Sequence, residues 1–266
     1  MTTFKQKIKE VVPSIFLDQP GRLFRSKNEI AKLKNKFKGK RCFIVGNGPS
    51  LNKIDIAKLD SEYSFAVNSI YYKTQEMGYK PSFYVVEDPH VINDNLKEIN
   101  DYQCDYMFFP AKFKSKFKKG ANRYFLNLDY SFYNDVSPYF ETPRFSQDLS
   151  EEAFCGQSVT IVNLQLAYFL GFTEVYLIGM DFSYNVPDSA KVDGNVIEST
   201  EDDVNHFHPD YFGKGKKWHD PKLHNVLKSY RLAKLMFELD DRKVINATVG
   251  GNLEVFERVD FNTLFK

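Results

Sequence analysis

Three features of the 266-residue chain point to an α/β protein with a Rossmann-like, doubly wound, mostly parallel sheet. Short apolar runs alternate with stretches of helical periodicity, the pattern of repeated βαβ units. Several runs stop at Gly, Asn or an acidic pair before proline, where a chain leaving a strand must turn. Hydrophobic residues make up 42% and aromatic residues 16%, with 25 Phe and 16 Tyr, enough to cover both faces of a sheet.

The elements follow in order. Pro13, Pro20 and Gly21 break up the first residues, and Lys27–Lys38 reads as a lysine-rich helix with Ile30, Leu33 and Phe37 on one face. Arg41–Val45 is an apolar strand ended by Gly46, and Ser50–Leu59 has helical spacing. Ser64–Val67 is a second strand, Ser69–Met77 a helix, and Ser82–Val86 a third strand stopped by Glu87-Asp88-Pro89. Tyr106–Phe109 and Tyr124–Leu128 add two strands, and residues 129–150 read as an irregular excursion. Ser158–Leu170 is a helix closed by Gly171, and Val175–Ile178 a strand closed by Gly179. Residues 185–220 are polar and glycine-containing, a lid too long to be a plain connection. A helix from Pro221 to about Leu239, a strand Val244–Ala247 and the segment Asn252–Phe265 close the fold. The domain reading is a basic extension over 1–40 and a single Rossmann-like domain over 41–266 that includes the lid.

The net charge of +1 hides an asymmetry: residues 1–41 carry twelve Lys/Arg against three acids, leaving −8 for the rest. A basic arm with an apolar face is expected to touch an anionic membrane surface, whereas an acidic body without a binding signature argues against nucleic acid. No run is long and apolar enough to span a membrane, and the first residues lack a leader's apolar segment. Three cysteines without CxxC spacing argue against a disulfide framework or a zinc site. The expected location is cytoplasmic, at the inner face of the membrane.

Gly46-Asn47-Gly48-Pro49-Ser50 leaves the first strand at the sheet edge where such folds bind ligands. Its glycines would let backbone approach a ligand, its amides can hold phosphate at a helix start, and Asn47 offers a neutral donor and acceptor. The third glycine of an NAD fingerprint is missing, and Asn68 stands where that site needs an acid. IVGNGPSLNKID, FAVNSIYY and LGFTEVYLIGMDFSY together resemble the bacterial lipooligosaccharide sialyltransferases. VINATVGGNLEVFERV is similar to a wider group that includes methanopterin-type pyrophosphokinases and motility-associated flagellin glycosylation factors. The sialyltransferase resemblance implies a CMP-activated sugar donor, a single Rossmann-like domain and no metal or other cofactor. It places Asn47, Gly48, Asn68 and Ser158 on the donor, Phe182 and Tyr184 on nucleotide and phosphate, and Asp88 where that family has asparagine. Asp181 reads equally as a ligand contact or as a carboxylate organising loops.

Four of the five histidines fall between 206 and 224. Transfer to a hydroxyl needs a general base, which histidine supplies near neutral pH, and stabilisation of the departing phosphate. The base is expected among His206, His208 and His219, with Tyr211 or Lys214 meeting the phosphate. Tyr211-Phe212-Gly213-Lys214 is similar to the sialyltransferases' own base region, with lysine where they have histidine. The rival readings are zinc on His206 and His208, magnesium on Glu87-Asp88 for diphosphate transfer or another nucleotide-sugar, and a silent nucleotide-binding scaffold. The leading expectation is a metal-independent glycosyltransferase moving a sialic-acid-like sugar onto a cell-surface glycan or glycolipid. Association into a homo-oligomer is left open.

Overall fold

The computed structural model describes residues 27–186, 189–194, 196–211 and 214–265. Its centre is an eight-stranded sheet in which every pairing is parallel. Among the described residues the strands are β1 Arg41–Val45, β2 Ser64–Val67, β3 Phe83–Val85, β4 Tyr106–Pro110, β5 Arg123–Leu126, β6 Leu128–Asp129, β7 Ala153–Phe154, β8 Glu174–Ile178, β9 Lys191–Asp193, β10 Val196–Glu198, β11 Lys217–His219, β12 Lys243–Asn246 and β13 Glu257–Arg258. The large sheet runs β13-β12-β8-β1-β2-β3-β4-β5, so the chain winds outward from β1 in both directions. That is the doubly wound α/β fold expected from the pattern.

Strand residues alternate between two cores, as period-two geometry requires. Cys42, Ile44, Phe65, Val67, Phe83, Val85, Val175 and Leu177 face one layer. Phe43, Val45, Ala66, Tyr84, Tyr176 and Ile178 face the other. The first layer is covered by two longer helices, α4 (Val159–Leu170) and α5 (Leu223–Glu238). The second carries α1 (Tyr71–Met77), α2 (Pro89–Asp94), α3 (Leu96–Asp101) and two 3₁₀ turns, Pro49–Lys53 and Ile56–Leu59. Those turns replace the single helix expected over Ser50–Leu59, because Asp55 accepts from the Ala57 amide and restarts the chain.

Residues 27–31 are helical and residues 32–39 continue as turns. Ile30, Leu33 and Phe37 are buried in the first core, so the apolar face expected to meet lipid is spent inside the fold. Helix α4 ends at Gly171 in the left-handed region, and its last carbonyls would otherwise lack partners. The amides of Asn35, Phe37 and Gly39 donate to Phe169, Leu170 and Gly171 and supply them. The rest of the basic arm, residues 1–26, lies outside the described residues. No described helix is long and apolar enough to cross a membrane.

The lid is not a plain loop. Strands β9, β10 and β11 form a small antiparallel sheet, and the chain between β10 and β11 folds down onto the C-terminal edge of the large sheet.

Candidate functional site

The residues after β1, β2 and β8, the start of α4 and the lid enclose a cavity of about 150 Å³. Ten of the residues singled out in the sequence line it: Gly46, Asn47, Gly48, Asn68, Ser158, Asp181, Phe182, Tyr184, His206 and Tyr211.

The GNGPS turn spends its Gly46, Gly48 and Ser50 amides inside the protein, the first two on the Ile178 and Gly179 carbonyls. The Ser50 amide lies 3.2 and 3.3 Å from the two Asp181 carboxylate oxygens, and Ser50 Oγ donates to Asp181 Oδ2 at 2.7 Å. Pro49 opens the 3₁₀ turn, so a carboxylate from the β8 turn sits at the place expected for phosphate. The glycines serve the same contact. A β-carbon on Gly46 would overlap the Gly179 carbonyl and Met180 sulfur, and one on Gly48 would overlap Asp181. They let two strand ends meet, and both also line the cavity. Asp181 organises the loops through Ser50 and also lines the cavity.

Asn47 links turn to lid. It is 7% exposed, and its Nδ2 donates to the Val67 carbonyl at 3.1 Å and to the Tyr211 hydroxyl at 2.7 Å. Its carbonyl accepts from the Phe207 amide at 2.9 Å, and Asn52 Nδ2 donates to the Phe207 carbonyl at 2.9 Å. Asn68 holds φ of 50°, a left-handed conformation that asparagine tolerates, and its side chain also bonds the Tyr211 hydroxyl. The Oδ1 atoms of both asparagines are buried and have no hydrogen-bond partner among the described residues. Two orphaned acceptors in one cavity wall carry a desolvation cost that a ligand's N–H or O–H groups would relieve.

Across the cavity, Ser158 N-caps α4 by accepting from the Thr160 amide at 3.3 Å. Tyr230 of α5 bonds Ser158 and Thr160, and burial pushes its hydroxyl up to about 12. Gln157, beside the cap, holds φ of 72°, and its Nε2 donates to the Asp220 carbonyl at 2.9 Å, tying the helix start to the lid's far end.

The lid brings one histidine inside. His206 Nδ1 lies 2.7 Å from Asp203 Oδ2, its Nε2 lies 3.2 Å from the Tyr184 hydroxyl, and its ring stacks on Tyr211 with centroids 4.0 Å apart. The side chains of His206 and Asp203 are only 7% and 2% exposed. A carboxylate only accepts, so Nδ1 donates to Asp203 and the neutral ring keeps a lone pair on Nε2, facing a hydroxyl. Burial raises the Tyr211 hydroxyl well above its usual range, so it stays a neutral phenol.

Four other candidates do not line the cavity: Glu87, Asp88, His208 and Lys214. His208 turns outward, stacks on Tyr72 at 4.6 Å, and places Nε2 3.7 Å from Glu76. Its separate partners break the zinc reading of His206 with His208. Asp88 is the N-cap of α2, accepting from the His90 amide at 2.6 Å, and does not line the cavity. Glu87 is buried, accepts from the Tyr133 hydroxyl at 3.0 Å and from the Cys155 thiol, and burial holds its carboxyl above the usual range. The magnesium reading of Glu87-Asp88 therefore loses both carboxylates to internal partners. Lys214 is exposed and stands outside the cavity lining. His219 pairs opposite Val196 in β11, and its side chain, like Phe212 and Gly213, lies outside the described residues. Among the described residues no three His, Cys, Asp or Glu side chains cluster as metal ligands. Asp203 and Gln157 escaped the sequence reading; the Asp203-x-x-His206 spacing was the available signal for the first.

A family model described as 6-hydroxymethylpterin diphosphokinase MptE-like matches residues 21–187, more than half of the chain. The chain belongs to the MptE-like family. The match covers β1 to β8 and their turns, hence most of the cavity wall; it agrees with the pyrophosphokinase resemblance at the level of the family, while residues 244–259, which carried that resemblance, lie beyond it. No curated protein matches. Among solved structures, that of a MAf glycosyltransferase from Magnetospirillum magneticum AMB-1 aligns with a TM-score of 0.48 at 16% identity, over 90% of this chain and 38% of that one. The chain thus spans well under half the length of that protein.

Proposed function

We propose that this MptE-like protein is a transferase that moves a group from a nucleotide-activated donor to an acceptor hydroxyl, with His206 as general base. The observation carrying the proposal is the Asp203–His206–Tyr184 chain at the wall of a cavity that also holds two unpartnered asparagine oxygens. Asp203 keeps the ring in the tautomer whose Nε2 accepts a proton. The acceptor hydroxyl takes the place that the Tyr184 hydroxyl now holds, passes its proton to Nε2 and attacks the donor as the bond to phosphate breaks. Asn47 and Asn68 accept from the nucleotide, and Ser158, which lines the cavity at the start of α4, holds the donor from the facing wall. A cavity of about 150 Å³ is small beside the roughly 300–1,000 Å³ usual for ligand sites, so the lid lifts at Phe207 and Tyr211 to admit the donor.

The donor we favour is a CMP-activated, sialic-acid-like sugar delivered to a glycan without a metal; this reading rests on the GNGPS and GMDFSY segments. The family match favours a second reading, diphosphate transfer from a magnesium-bound nucleoside triphosphate. Thermal unfolding separates them. CMP should raise the melting temperature with or without EDTA, by an amount set by its concentration over Kd, and Asn47→Ala or Asn68→Ala should remove the shift. Stabilisation by ATP only with magnesium, and none by CMP, would replace the first reading with the second.

A further inference from the structure

Beside the cavity, and sharing Phe182 with it, runs a groove of about 500 Å³. Helix α5 builds both: Val226 and Tyr230 face the cavity, while Leu227, Arg231 and Leu235 face the groove in an i, i+4, i+8 row, with Val255 opposite. Leu235 is 50% exposed, an apolar side chain left uncovered beside a cation. The groove's other charges are neutralised in place. Lys234 donates to the Val255 carbonyl at 3.0 Å and lies 3.8 Å from Glu238, and Glu254 pairs with Arg258 at 3.0 Å. Arg231 makes no ion pair or hydrogen bond among the described residues, leaving one unpaired guanidinium on an apolar floor. At the junction, Phe182 holds φ of 53°, a left-handed conformation costly for a bulky residue and kept where the surroundings enforce it.

We propose that this groove is the acceptor site, and that it takes a saccharide carrying an anionic group, carboxylate or phosphate, on Arg231. This rests on the transfer reading above. The planar guanidinium binds either oxyanion through two parallel hydrogen bonds, and Leu227, Leu235 and Val255 supply the apolar face that sugar C–H groups pack against. An acceptor anchored there runs past Phe182 toward the cavity that holds His206. The two spaces share Phe182 as a common wall, and that adjacency is what ties the groove to the reaction rather than leaving it an isolated patch.

Saturation-transfer NMR on the full chain tests this with cellobiouronic acid against cellobiose, and with glucose 6-phosphate and inorganic phosphate alone. The acidic sugars should bind, cellobiose should bind far more weakly, and the better of the two acids identifies the anion. Arg231→Gln should weaken acid binding about 10- to 100-fold, the worth of a charge-assisted contact, and Arg231→Lys should lose part of it. CMP or ATP binding should survive both changes, since Arg231 lies outside the cavity. Equal binding of cellobiose, equal binding by Arg231→Gln, no acid-sugar binding at all, or inorganic phosphate binding as well as the sugars would overturn the proposal. Loss of acid-sugar binding in Arg231→Gln, in a protein that binds no nucleotide, would keep the groove and remove the transfer reading instead.

Discussion

Two stretches of the same sheet edge use similar residues in opposite ways. At the ends of β1, β2 and β8, polar side chains surround a cavity, two asparagine oxygens lack partners, and a histidine presents one nitrogen to a hydroxyl. At the end of β3, Glu87 and Asp88 look more like ligand-binding acids in sequence, yet both are consumed. Glu87 takes the Tyr133 hydroxyl and the Cys155 thiol, and Asp88 caps α2. Chemistry at a sheet edge belongs to groups left unsatisfied by the fold, and the charge of a residue says little about that.

The largest expected effect lies on the open side. His206→Ala should lower kcat for transfer about 10²–10⁴-fold, while donor affinity holds. His208→Ala, changed two residues away on the outward face, should leave kcat near wild type. Equal losses from both would erase the distinction between the lid's inner and outer faces.

Gly48→Ala should cost about 3 kcal/mol of stability in urea unfolding, because the new methyl group overlaps the Asp181 carboxylate that holds the turn. A neutral outcome would mean that Asp181 swings away freely, leaving the turn open to phosphate after all.

Smaller effects mark the consumed side. Asp88→Ala should cost about 1 kcal/mol through the lost cap of α2, with kcat unchanged. A large drop in kcat without a stability change would return Asp88 to the site.

Glu87→Gln is the subtlest change. The folded carboxyl's pKa is raised by burial, so the native state holds the proton more tightly than the unfolded chain. Below the ordinary glutamate range the two proteins should match; as pH rises through the raised value, wild type should lose stability relative to Glu87→Gln. Parallel stability–pH curves would show that Glu87 ionises freely.

Much of the site was legible because local sequence carries it. GNGPS marks a strand end by its glycines, Ser158 precedes a helical pattern as caps do, and Asn68 and Tyr184 stand just past apolar runs. Asp203 was not legible, since an aspartate in a polar lid resembles any solvated acid until the chain folds it onto His206. The outward turn of His208 was equally hidden. Its neighbours Tyr72 and Glu76 belong to a helix more than 130 positions earlier.

Read alone, the sequence determined the alternating strands, the two-layer core and the place of the candidate site, because period-two and helical patterns, glycines and caps act within a few residues of themselves. The tertiary structure decided which polar groups are spent on the protein and which face the cavity. It set Asp181 on Ser50 and Ile30, Leu33 and Phe37 in the core, and it put Arg231 in the same groove as Phe182 with no ion pair among the described residues. The reason is satisfaction: a buried donor or acceptor must find a partner, and whether that partner is the chain or a ligand depends on contacts between residues far apart in sequence.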